Sequence, residues 1–213
     1  IRLTRESVDV RLPNLEGIGG HVECLYVLHN PGPKQVSFSM AFVTGNPQEY
    51  LPDARTFTDS RFRVVVNDGV ELRPTLQATA PASWEAFVPE PPESLLVWDL
   101  AIPAGKTRHL NISYDIYWSG RTDGDTERLF FRYNARPAAL WSGSIGAAEI
   151  TFRLGDISGT LLRCILDEGG CAAAEIHPVG YRCTQSGINW KFSDWEPDCD
   201  FDISVPILPA AEK

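Results

Sequence analysis

The densest group of side chains able to do chemistry is acidic. Asp194, Glu196, Asp198, Asp200 and Asp202 stand at every second position. On a strand this spacing predicts all five carboxylates on one face. Aligned carboxylates repel one another unless water or a cation screens them, and hard oxygen ligands suit Ca2+. Pro197 interrupts the strand and leaves the first two acids on a turn, so Asp198 and Asp200 are the candidate ligands. The order of an EF-hand is absent, with no glycine or terminal glutamate where that loop needs them. The alternative is a solvated outer face that discourages edge-to-edge pairing. Asp123, Asp125 and Glu127 repeat the spacing on a shorter scale, where a plain turn is the simpler reading. Calcium apart, no cofactor is expected.

Five cysteines follow a different logic. Cys164, Cys171, Cys183 and Cys199 cluster near the C-terminal end, and Cys24 stands far from them. The gaps are too wide and irregular for a zinc ribbon. Two disulfides within the cluster are the leading expectation, with one disulfide, or thiols left free or on a metal, as alternatives. Such staples form in oxidising compartments, which points to an exported, periplasmic or extracellular protein. Cys24 alternates with Val22, Tyr26 and Leu28 and reads as a small buried residue. No base or helix N-terminus is visible beside it to make a thiolate nucleophile.

The usual catalytic signatures are missing. No Gly-x-Ser-x-Gly occurs, and in Trp141-Ser142-Gly143-Ser144-Ile145-Gly146 the glycines stand one residue too close. No glycine-rich loop with a lysine offers a phosphate cradle. His21, His29, His109 and His177 are too far apart for a short metal-binding pair. Distant carboxylate pairs of the kind that hydrolyse glycosides cannot be judged by spacing. Aromatics are the remaining lead, with six Trp, six Tyr and ten Phe. Sugar rings stack on exposed indoles, and Trp84, Tyr117 and Trp118 are the candidates for such a surface. A core role is the alternative for each.

The elements that must position these residues are strands. Val8, Val10 and Leu12 alternate with polar residues, as do Val36 to Phe42, Phe62 to Val66, Leu110 to Trp118, Ile188 to Phe192 and Phe201 to Val205. Asn67-Asp68-Gly69 between two such runs predicts a hairpin. A short helical turn near 82–87 is bracketed by prolines, and Pro89-Glu90-Pro91-Pro92 reads as a stiff surface loop. No stretch shows a sustained helical period. The expectation is an all-β fold of two immunoglobulin-like antiparallel sandwiches in tandem, residues 1–120 and 121–213, divided at the polar, glycine-rich run 119–125. One extended sandwich is the alternative.

Composition narrows the partners. With 19 basic and 28 acidic residues among 213, the net charge is −9. A nucleic-acid partner held by phosphate contacts is excluded by that balance. No run of about 18 apolar residues is present, so no membrane span is expected within the chain. The chain opens at Ile1 rather than Met, which reads as a processed or trimmed N-terminus.

Several segments resemble an exported bacterial β-sandwich family of unknown function. They are Ile1 to Val8 with its acidic Glu6, Tyr26-Val27-Leu28-His29-Asn30-Pro31-Gly32, and Tyr133-Asn134-Ala135-Arg136-Pro137-Ala138-Ala139-Leu140-Trp141-Ser142-Gly143-Ser144-Ile145. Ile188 to Phe192 and Trp195 to Asp198 resemble its closing strand pair. The resemblance implies β-sandwich folding and export and carries over no catalytic residues. The sequence thus points to a non-enzymatic exported or cell-envelope module with a protein or cell-envelope partner. A carbohydrate-binding module and a carboxylate- or metal-dependent hydrolase are the alternatives.

Overall fold

The computed structural model describes residues 1–12, 20–43, 61–67, 69–77, 95–116, 119–123, 126–135, 141, 143–154, 175–184 and 187–206. The described residues form strands without helices: β1 (Arg2–Arg11), β2 (Gly20–His29), β3 (Val36–Val43), β4 (Arg63–Val66), β5 (Val70–Leu72), β6 (Thr75–Gln77), β7 (Leu95–Ile102), β8 (Thr107–Ile116), β9 (Ser119–Asp123), β10 (Thr126–Tyr133), β11 (Ile145–Arg153), β12 (Glu175–His177), β13 (Arg182–Thr184), β14 (Gly187–Trp195) and β15 (Phe201–Pro206). The all-β expectation is met, and β4 pairs antiparallel with β5 as the expected hairpin requires, with Gly69 at φ 79°. Residues 82–87 and 89–92 lie outside the described residues.

The described strands form three open sheets. The largest runs β13-β14-β11-β1-β2-β8-β4-β5; the others are β12-β15-β10-β9 and β3-β7-β6. Eleven of the pairings among described strands are antiparallel, and β1 with β11 is parallel, from Arg5↔Ala147 to Arg11↔Arg153. A parallel pair needs a long crossover, and here the chain between the partners supplies all of β3-β7-β6 and the β9 and β10 strands of the other small sheet. The expected seam fares differently from the strands. Residues 119–123 form β9 and pair with β10, so the 120/121 boundary falls inside a strand rather than in a linker. The largest sheet takes five strands from before that point and three from after it.

One face of the large sheet carries the core. Val8, Val10, Val22, Cys24, Leu28, Leu110, Ile112, Ile150, Phe152 and Trp190 are buried there, as their period of two requires. The two small sheets roof this face side by side. Phe42 of β3 meets Tyr114 of β8 at 5.2 Å between ring centroids, while Phe131 of β10 meets Phe152 of β11 at 5.2 Å and Trp190 of β14 meets Phe201 of β15 at 5.1 Å. These edge-on contacts are the favoured aromatic geometry.

Asn30 fixes the end of β2 against the turn before β8. It is buried, and its Nδ2 donates to the carbonyls of Lys34 (2.8 Å), Ile102 (2.9 Å) and Pro103 (3.2 Å), while Oδ1 accepts from Gly32 N–H at 3.0 Å. Asn30→Ala strands those groups. The expected loss is about 2 kcal/mol in urea unfolding, and an unchanged midpoint contradicts this role for Asn30.

Candidate functional site

A β-bulge turns one carboxylate into the core. Between Leu3 and Arg5 the register of β1 on β2 slips by one residue, so Leu3 and Glu6 both face inward. Thr4 Oγ1 ties the bulge to Val27 O at 2.9 Å. On the other side β11 comes so close that a Cβ on Gly146 would stand 2.8 Å from Thr4 O, which only glycine avoids.

Glu6 faces a chain of phenols. Tyr133 Oη donates to Glu6 Oε1 at 2.9 Å, and Tyr26 Oη lies 3.1 Å from Tyr133 Oη. With the Tyr133 proton committed to the carboxylate, Tyr26 donates to Tyr133. Cys24 Sγ sits 4.0 Å from the same hydroxyl. Burial pushes the Glu6 carboxyl up to about 7 against the pull of the Tyr133 hydrogen bond. It pushes the Cys24 thiol up to about 12, with the Glu6 charge adding to the effect. Tyr26, Tyr114 and Tyr133 are all raised well above the ordinary phenol range, chiefly by burial. None of these sulfur or phenol groups is a nucleophile at neutral pH.

Between the two roofs a cavity of about 90 Å³ opens above this chain. Glu6, Tyr26, Ile112 and Tyr114 form its floor; Phe42 and Trp98 stand on one side, Arg132, Tyr133 and Trp141 on the other. Arg132 is held by Asp202 through two hydrogen bonds, of 2.6 and 2.8 Å. Two polar atoms stand out. Glu6 Oε2 and Trp98 Nε1 are buried without a hydrogen-bond partner among the described residues. Their residues are only 1% and 4% exposed. Such orphans are rare in native proteins and commonly mark a site. A hollow of about 460 Å³ on the outer face near Asp9 and Glu23 is larger but lacks them. Its carboxylates are already paired, Asp9 with Arg153 at 2.7 Å and Glu23 with Arg11 at 2.9 Å.

The residues singled out by sequence lie elsewhere. The five alternating acids do not share a strand face, because β14 ends at Trp195 and β15 begins at Phe201. Asp194 has φ 49°, Asp198 is exposed, Asp202 binds Arg132, and Asp200 accepts the Ala135 N–H at 2.9 Å. No group of three or more His, Cys, Asp or Glu side chains able to hold a metal ion occurs among the described residues. Trp84, Tyr117, Trp118, Cys164 and Cys171 lie outside the described residues, as does Asp125. Cys183 is exposed on β13 and Cys199 is half-buried before β15. Cys24 is buried, as its alternation requires.

The segments that carried the family resemblance do converge. The first supplies Glu6, the second Tyr26, and the third Tyr133, Asn134, Ala135 and Trp141, all lining one cavity.

No protein-family model and no curated protein matches the chain. Among solved structures, a candidate nutrient binding protein from Legionella pneumophila is similar, with a TM-score of 0.71 and 19% identity over 95% of this chain and 66% of that one. That likeness shows a shared fold, and this chain spans just under two thirds of the Legionella protein. An M1 zinc metallopeptidase from Deinococcus radiodurans aligns over 96% of this chain and 42% of its own at a TM-score of 0.38 and 9% identity. An aminopeptidase N family protein from Idiomarina loihiensis aligns over 93% of this chain and 29% of its own at 0.39 and 12%. At those scores neither carries an argument.

Proposed function

We propose that this chain is a non-enzymatic binding module that takes a small polar solute into the cavity between its two roofing sheets. One observation carries the reading: Glu6 and Trp98, each with a buried polar atom that has no partner among the described residues, line the same hollow. Leaving such groups unmet costs about 1–3 kcal/mol each, which a ligand with a complementary donor and acceptor recovers. The raised phenols lining the cavity favour binding over nucleophilic chemistry. The Legionella protein, described as a candidate nutrient binder, fits the same reading.

Melting temperature, read against a set of small amines, carboxylates, polyols and sugars, tests the proposal. One chemical class is expected to raise it by mass action. Intrinsic fluorescence should change with the same solute, because Trp98 and Trp141 line the cavity. Trp98→Phe keeps a ring but removes the N–H, and affinity is expected to fall about five- to tenfold. If no class shifts either signal, the reading is wrong. Export belongs to the proposal on the strength of the cysteine cluster, and mass measured before and after reduction tests it through the expected two disulfides.

A further inference from the structure

We infer that the ligand is a small protonated amine whose ammonium group sits on Glu6 Oε2. The inference rests on the binding reading above and names its solute class. The carboxylate is asymmetric in its contacts. Oε1 is served by the Tyr26–Tyr133 hydroxyl chain, while Oε2 has no partner among the described residues, so the missing partner is a donor at one defined atom. A charged donor suits that atom better than a neutral one. Burying an ionised carboxylate is costly unless an opposite charge is close. Among the described residues lining the cavity the one cationic side chain is Arg132, and it is already held by Asp202.

The walls support a cation as well. Tyr26, Phe42, Trp98, Tyr114 and Trp141 surround the hollow with aromatic rings, whose faces attract ammonium groups. A carboxylate solute would meet Glu6 with like charge. An oxygen on the same small molecule would accept from Trp98 Nε1, so an amino alcohol serves both orphaned atoms.

Titration calorimetry at about pH 8, where Glu6 is ionised, decides the matter with ethanolamine, methylammonium, ethylene glycol and acetate as probes. Ethanolamine should bind best, and methylammonium should bind more tightly than ethylene glycol. Glu6→Gln keeps the shape and an acceptor for Tyr133 but removes the charge, and amine affinity should fall about tenfold or more. The variant's circular-dichroism spectrum should match that of the unaltered protein, so that lost binding is not lost folding. Binding of glycol or acetate in preference to the amines overturns the amine assignment and leaves the binding module standing. Amine binding that survives Glu6→Gln also overturns it. Silence from all four probes, together with silence from the wider solute set, removes both readings.

Discussion

Glu6→Gln is expected to stabilise the ligand-free protein by about 3 kcal/mol at about pH 8 and to change little below about pH 4. The size follows from the carboxyl itself, raised by burial from 4.5 to about 7 in the folded chain. Each tenfold weakening of the acid between the unfolded and folded states is worth about 1.4 kcal/mol. Between those two values the folded state holds a proton that the unfolded state has released. Stability from the protonated acid is therefore complete below about 4.5 and is lost as pH rises through about 7. The amide never ionises, so the variant escapes that loss. The titratable groups facing Glu6 do not blur the slope: Cys24 and Tyr26 from β2, Tyr114 from β8 and Tyr133 from β10 all stay protonated at neutral pH. The Arg132 charge lines the same cavity and is constant over this range. Glu149 is lowered by its Lys191 and Asn189 hydrogen bonds. Partial burial acts to raise Asp115, but His21 and Arg61 together outweigh it and lower the carboxyl. Both acids give the opposite slope at acid pH, but they are shared by the two proteins and cancel in the difference. Urea unfolding measured from acid to alkaline pH should give curves that separate between about 4.5 and about 7. Parallel curves would show that Glu6 is solvated in the folded chain and would take away the basis for a buried site.

How far a sequence can lead to such a site depends on which signal a residue gives. Glu6 lies on the same parity as Val8, Val10 and Leu12, so a strict period of two places a carboxylate on the apolar face. That is a legible sign, though weaker to the eye than five acids in alternation. The five acids are conspicuous yet misleading, because alternation implies one face only while the strand lasts, and here it stops at Trp195. Trp98 is harder to read. Leu95 to Ile102 is apolar on both parities and shows no alternation, so neither β7 nor the direction of its indole follows from the pattern. The alternating strands β1, β8, β14 and β15 follow from one-sided burial, whereas Val22 to Leu28 of β2 is apolar on both parities and reads as buried on both sides, although one face alone is fully buried. The partners of these strands do not follow, since pairing between strands far apart in the chain leaves no local trace. The parallel join of β1 to β11 is of that kind, and it makes the large sheet continuous across the expected domain boundary.

That join gives a second large effect. Trp190→Ala is expected to cost about 4 kcal/mol, within the range for removing a fully buried aromatic side chain. Trp190 is 1% exposed and sits edge-on to Phe152, Tyr181 and Phe201 at centroid distances of 5.3, 5.9 and 5.1 Å. Its Nε1 donates to Pro178 O at 2.8 Å. Trp190→Phe separates the two contributions: it keeps much of the ring volume, strands the Pro178 carbonyl, and should cost about 1–2 kcal/mol. The shape of the unfolding curve is as informative as its midpoint. Trp190 lies on β14, two strands from β1, in a core cluster that includes residues from both sides of position 120. Damage at β14 should therefore lower the whole protein in one transition, followed alike by fluorescence and circular dichroism. Two independent sandwiches would behave otherwise, with the C-terminal one unfolding early while residues 1–120 kept their midpoint. A split transition in Trp190→Ala would mean that the parallel β1–β11 ladder does not couple the halves. Since that ladder runs through Glu6↔Ala148, it would also mean that the cavity floor is held less firmly than the binding reading requires.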